Sequence, residues 1–138
     1  MRYNFTVNTK AIGKARPRFN TYTKATYTPQ KTKNYEEIIK NTFQEKYGLK
    51  INPSANEIYI KIDVEYAPPE SYSKKKKAEL IDCKQGYMHK PDVDNIAKAV
   101  LDALNGVVWL DDKQVVGLLV LKAYGKEDKI DIEIIEVK

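Results

Sequence analysis

The sequence predicts a single two-layer α+β domain, and three patterns carry that expectation. Ile58, Ile60, Ile62, Val64 and Tyr66 alternate with Lys61, Asp63 and Glu65, the period of a strand with one buried face. Ile96, Ala99, Val100, Ala103 and Leu104 recur at spacings of three and four, the stripe of an amphipathic helix. Strand and helix patterns alternate along 138 residues with no linker or internal repeat, so residues 1–138 are read as one domain.

The elements follow in order. Tyr3, Phe5 and Val7 alternate as a first strand. Residues 9–30 keep no apolar period and are read as a long loop, a length that is uncommon unless functional. From about Thr32, Tyr35, Ile38, Ile39 and Phe43 form a helical stripe that Tyr47-Gly48 ends. The strand at 58–66 stops at Pro68-Pro69. Residues 70–91 are irregular, with Ser73 placed to cap a short helix. A second main helix runs from about Val93 to Leu104 and ends at Asn105-Gly106. Residues 115–124 are apolar on both faces, as for a central strand. Gly125 to Asp128 turns the chain into a last strand, where Ile130, Ile132 and Ile134 alternate with Asp131 and Glu133. The expected order is β-α-β-α-β-β, a mixed four-stranded sheet with two main helices.

Composition narrows the class. A hydrophobic content of 42% suffices for a core. No apolar run approaches the roughly 18 residues of a membrane span, and the N-terminus lacks the apolar segment of a signal peptide. The single Cys83 excludes an internal disulfide framework and suits a reducing compartment, so a cytoplasmic location is expected. Lys and Arg outnumber Asp and Glu by 24 to 19. Between Lys10 and Lys33 stand seven basic residues, Lys14, Arg16 and Arg18 among them, and no acid. A basic segment of this kind is the footprint of a polyanion partner. Lys74, Lys75, Lys76 and Lys77 form a second basic run. Tyr22 and Tyr27, inside the first, offer surfaces for stacking on bases or sugars.

Against this background the segment Lys90-Pro91-Asp92-Val93-Asp94-Asn95 stands out. Two carboxylates two residues apart diverge by about 200° within a helix. They converge only if Asp92 ends the incoming extended segment and Asp94 lies in the first helical turn. The ordinary reading is an N-cap and a first-turn acid. A second pair, Asp111-Asp112, lies where the helix hands over to the next strand, and its ordinary reading is a polar turn. If that strand runs back along the helix, the second pair is expected near the helix N-terminus or near an adjoining strand end. Carboxylates gathered in a basic protein suit Mg²⁺ or Mn²⁺, and such ions hydrolyse phosphodiesters. Lys98 lies four residues after Asp94 on the same face, either as a salt-bridge partner or as charge offered to the reacting phosphate. Asp102 continues that face and is expected to pair with Lys98.

The block KPDVDNIAKAVLDALNGVVWLDDKQVV, residues 90–116, resembles the RusA family of Holliday-junction resolvases. The family's ordered signature is present: Asp-x-Asp-Asn opening a helix, a Lys four residues on, Asp-Ala-Leu, and Asp-Asp before a strand. The basic loop around Lys14, Arg16 and Arg18 and the lysines from Lys74 are looser likenesses. The resemblance implies a crossover junction endodeoxyribonuclease, acting in DNA recombination and repair by paired nicks across a four-way junction. It implies Mg²⁺ dependence, a homodimer, Asp92, Asp94 and Asp112 as metal ligands, and Lys98 as a catalytic aid. Lys14, Arg16, Arg18, Lys74, Lys75, Lys76, Lys77 and Lys90 are the candidate DNA contacts. The role of Asp111 is left open, and His89, just before the motif, either touches phosphate or is incidental. The apolar stretch Val115–Ala123 and the region of Trp109 are the expected dimer contact, Trp109 having core packing as its alternative.

Two other classes compete. A catalytically silent DNA-binding module would use the same basic loops, but gains nothing from three acids at its centre. A structural subunit of a phage assembly would use the acids as ordinary caps, and leaves the acid-free basic segment unexplained.

Overall fold

The computed structural model describes residues 1–14, 18–27 and 29–138, Arg18 by its backbone alone. Ten elements follow one another: β1 (Arg2–Val7), β2 (Arg18–Asn20), β3 (Ala25–Tyr27), α1 (Gln30–Tyr47), β4 (Glu57–Tyr66), α2 (Lys74–Asp82), α3 (Val93–Leu104), a 3-10 turn (Asp112–Gln114), β5 (Val115–Tyr124) and β6 (Lys129–Val137). The main sheet has the order β1-β6-β4-β5. Only β4 and β5 run parallel, and β6 is antiparallel to both β1 and β4. The expected α+β architecture with a mixed four-stranded sheet is therefore the one observed.

Burial explains the layers. Ile58, Ile60, Ile62, Val64 and Tyr66 of β4, with Ile130, Ile132 and Ile134 of β6, put their side chains on one face of the sheet, where they are buried. Onto that face pack α1, through Tyr35, Ile39 and Phe43, and α3, through Ile96, Ala99, Val100, Ala103 and Leu104. Each fully buried large side chain contributes roughly 1.5–3 kcal/mol over its exposed state, so the helix stripes fix which way α1 and α3 face. Phe43 also meets the rings of Tyr3, Phe5 and Tyr47, with centroids 5.1–5.5 Å away. The opposite face of the sheet is left to solvent and is acidic. It carries Asp63, Glu65, Asp131 and Glu133 against Lys61 and Lys129.

The short helix expected at Ser73 is present as α2, whose N-cap Ser73 accepts a hydrogen bond from the Lys76 amide, a third helix among the described residues beside the two main ones. Two expectations need correction. Residues 9–30 are not loop throughout, since β2 and β3 pair as a short hairpin. More consequentially, β5 is an edge strand and not a central one. Among the described residues its far side is met at the C-terminal end, where Tyr87 N donates to Lys122 O and Tyr124 N donates to Gln85 O. Val116, Leu118, Leu119 and Leu121 remain about half exposed. No helix among the described residues is long and apolar enough to cross a membrane.

Candidate active site

Asp92 is the N-cap of α3 by backbone geometry, and its carbonyl accepts the Ile96 amide at 3.1 Å. Its carboxylate takes no capping hydrogen bond, so the ordinary capping role is not what the side chain does. Asp94 follows in the first turn, and both residues are exposed. At this end of the helix the peptide N–H groups favour negative charge.

The chain entering α3 is held from two sides. From the sheet, the Lys122 ammonium donates to the carbonyls of His89 and Pro91, each at 2.8 Å. Tyr87 stacks on Tyr66 with centroids 4.0 Å apart and meets His89 edge-on at 5.2 Å. His89 thus belongs to the packing that leads into Asp92. From the other side comes the first loop. Gly13 lies so close that an added Cβ would stand 3.0 Å from Pro91 Cβ and 3.1 Å from Asn95 Cβ, and the Lys14 amide donates to Asn95 O at 3.1 Å. A side chain here would require Pro91 and Asn95 to give by a few tenths of an ångström, so glycine suits this approach. Tyr66 anchors the same loop by donating its hydroxyl to Ala11 O at 2.9 Å.

The Lys14 side chain is turned inward. Its ammonium pairs with Glu36 of α1 and, at 3.2 Å, with Asp102 of α3, and all three side chains are mostly buried. Burial acts to lower the Lys14 pKa, but the hydrogen bonds it donates to both carboxylates, with their charge, outweigh it and raise the value. Lys14 therefore fastens loop to helices, whereas the sequence marked it as a DNA contact. Lys98 sits 3.9 Å from Asp102, the expected i,i+4 pair, yet Asp102 is shared with Lys14 and Lys98 stays 65% exposed.

Asp112 opens the 3-10 turn before β5, and its Oδ1 accepts the indole N–H of Trp109 at 2.8 Å. Trp109 is fully buried, so it belongs to the core of the chain and not to an exposed contact surface. Asp111 caps the turn: its side chain accepts the Lys113 amide at 3.0 Å, and Gln114 Oε1 closes a capping box by accepting the Asp111 amide at 2.8 Å. Gln114 also donates to Ser54 O and Asn56 O, at 2.7 and 2.9 Å, which moors the turn beside the start of β4.

The two acidic pairs do not meet within one chain. β5 does run back along α3, but Asp112 precedes β5 and so stays at the C-terminal end of the helix. Register fixes the ends: Val115 lies beside Ile58, while Lys122, which reaches Pro91, lies beside Val64. The twelve residues of α3 span about 18 Å between those ends. Among the described residues no three acidic, His or Cys side chains are grouped to hold a metal ion. The set Asp92, Asp94 and Asp112 of one chain thus does not fit a single ion.

Of the remaining candidates, Lys90 and Lys74 to Lys76 are exposed. Lys76 Nζ lies 3.8 Å from the centroid of the Tyr72 ring, and Lys77 reaches Glu70 at 3.4 Å. Arg16 lies outside the described residues, as does the side chain of Arg18. Phe19 and Tyr22 on the hairpin are exposed, Tyr22 almost completely. Sequence reasoning missed Gly13, Lys122 and Gln114. Asp111-x-x-Gln114 carried the signature of a capping box, whereas nothing in the sequence marked Lys122.

A small basic α+β domain with exposed lysines around a helix start suits a polyanion partner. Residues 8–135, nearly the whole chain, match the family model Endodeoxyribonuclease RusA, and the protein belongs to that family. It is also 31% identical over 138 residues to the "Uncharacterized protein YqaN" of Bacillus subtilis (strain 168), covering 96% of this chain and 95% of the relative.

Proposed function

We propose that the protein is a Mg²⁺-dependent endonuclease that resolves four-way DNA junctions by paired nicks. The observation that carries this reading is the exposed Asp92 carboxylate, free of any cap bond and two residues before Asp94, at the start of α3 in a RusA-family chain. A carboxylate at an N-cap that makes no cap bond is available for another partner, and hard oxygen donors suit Mg²⁺, with Mn²⁺ as a substitute. Asp92 and Asp94 are the proposed ligands at this helix start, and Asp112 is a further proposed ligand although one chain holds it at the other end of α3. Lys98 is the proposed charge facing the phosphate, and its exposure supports that role.

Charge distribution supports one side of the molecule as the DNA face. The open sheet face is acidic and repels a phosphate backbone, whereas Lys90, Lys98 and the α2 lysines are exposed among the helices and loops. Exposed Tyr22 and Phe19 suit stacking on unpaired bases at a branch point. A four-way junction has two-fold symmetry, and a homodimer matches it with two symmetry-related nicks. Cleavage of synthetic four-way junctions, with duplex and flap controls and with Mg²⁺ supplied or chelated, tests the proposal. Paired Mg²⁺-dependent nicks at the junction support it. Binding without cleavage in any divalent ion would favour the silent DNA-binding module.

A further inference from the structure

We infer that Lys122 is a positioning residue for the Asp92 carboxylate, a part that calls on its ammonium and that neither the fold nor DNA binding requires. The inference rests on the endonuclease reading for its cleavage arm, and on the hydrogen bonds alone for its second arm.

Lys122 is the one charged residue among the ten of β5. Its backbone carbonyl accepts the Tyr87 amide at 3.2 Å, and its ammonium donates to the carbonyls of His89 and Pro91, each at 2.8 Å. The same ammonium lies 5.7 Å from the centroid of the Tyr87 ring. One residue of the sheet thus grips residues 87, 89 and 91, every second position of the segment that runs into α3. An ammonium has three donors, and two of them are committed to this segment. An apolar side chain at 122 would cover the Tyr87 ring as well, but it would direct neither carbonyl.

These bonds end at Asp92. Pro91 O belongs to the peptide that closes on the Asp92 nitrogen. Asp92 O belongs to the next peptide, where it accepts the Ile96 amide at 3.1 Å. Peptide units are planar, so a carbonyl that is held fixes its whole unit. Lys122 holds the first plane and α3 holds the second, and the two meet at Asp92 Cα with φ −70° and ψ 154°. Their meeting sets the direction in which the side chain leaves the backbone. The Asp92 carboxylate makes no cap bond of its own, so it is the backbone that aims it.

Other contacts keep the segment on the fold without Lys122. Tyr87 stacks on Tyr66, and Gly13 abuts Pro91 and Asn95. Loss of the ammonium therefore leaves the segment docked and frees only its last peptide. For a group that acts on a reacting phosphate, a displacement of roughly 1 Å costs about 10²-fold in rate.

The test compares Lys122→Met, which keeps the length and loses the donors, with Lys122→Arg, which keeps a charge and a pair of donors. Lys122→Met should retain the wild-type circular dichroism and the wild-type affinity for a four-way junction in a gel shift. Its kcat for nicking in Mg²⁺ should fall about 10²-fold with KM unchanged. Lys122→Arg should cleave faster than Lys122→Met. Unaltered cleavage by the Met variant overturns the inference. A loss of cleavage matched by an equal loss of junction affinity overturns it too, since that marks a DNA contact. So does a Met variant that does not fold, or an Arg variant as slow as the Met one. If the wild-type chain cleaves no branched DNA, the endonuclease reading fails and amide hydrogen exchange decides the positioning role. In Lys122→Met the Ile96 amide, bonded to Asp92 O, should exchange about tenfold faster, while amides in the middle of β4 keep their protection. Unchanged protection at Ile96 overturns the inference.

Discussion

The indole N–H of Trp109 donates to Asp112 Oδ1 over 2.8 Å, joining a fully buried side chain to a carboxylate of the proposed site. The bond holds one oxygen of Asp112 and leaves the other free. Groups that orient ligand carboxylates commonly matter 10–100-fold for activity or metal affinity. Trp109→Phe keeps much of the ring volume and removes the donor. Its expected effect is a loss of about 10-fold in cleavage rate, with junction binding unchanged and stability lower by about 1–3 kcal/mol. Unaltered cleavage in a folded Trp109→Phe protein sinks the positioning role.

Asp92→Asn, Asp94→Asn and Asp112→Asn should each abolish cleavage and preserve junction binding. Each change removes a negative charge without touching a basic group that meets phosphate. Gel-shift and nicking assays on one preparation of each variant separate the two properties. Near-wild-type nicking by any of them removes that residue from the site.

Lys14 and the α2 lysines should behave oppositely. Lys14→Met strips the shared partner from Glu36 and Asp102 and should cost about 1–3 kcal/mol in chemical unfolding, with the salt dependence of DNA binding unchanged. Lys74→Ala, Lys75→Ala and Lys76→Ala together should leave stability alone. They should flatten the slope of log affinity against log salt by roughly one unit for each phosphate no longer neutralised. A flattened slope for Lys14→Met places that ammonium on the DNA after all.

Alkaline pH should unfold the protein early. Burial pushes the Tyr35 hydroxyl from 10.0 up to about 12, burial raises Tyr66 as well, and the two carboxylates raise Lys14. In each case the native state holds its proton more tightly than the unfolded chain. The contribution to stability is complete below the unfolded values, near pH 10, and is lost as pH rises through the native ones. Unfolding midpoints should therefore fall steadily from about pH 10 to 12. Tyr35→Phe, which removes a buried hydroxyl with no side-chain partner among the described residues, should shift neutral-pH stability by less than about 1 kcal/mol and soften the alkaline loss. An alkaline limb as steep as wild type counts against Tyr35 as a contributor.

Where period and burial coincide, the sequence was readable. β4, β6 and α3 occupy the places their patterns indicate, because each buries one face against the other. The hairpin β2–β3 escaped notice since its strands are three residues long and Ala25 to Tyr27 bury nothing. β5 misled for a physical reason. An apolar run on both faces normally marks a strand between two neighbours, and here it marks an edge strand whose Val116, Leu118, Leu119 and Leu121 are about half exposed. The same ambiguity displaced Asp112. A turn that follows a helix lies at that helix's C-terminal end whatever the next strand does, so the acidic motif was legible as a set of residues and not as a place. Lys14 shows the limit of charge counting, for its partners Glu36 and Asp102 come from helices far along the sequence.

The order β1-β6-β4-β5 has a consequence for how the chain is made. β6, the last strand in the sequence, lies between the first strand and β4, and hydrogen-bonds both. Until residues 129–137 leave the ribosome, β1 has no strand to pair with, and the helices have only part of a sheet to pack on. β1 and one edge of β4 therefore wait for their shared partner until the last strand of this sheet has been made. A message truncated just before Lys129 yields no smaller working version of the protein, only an unpaired β1 and a half-built core.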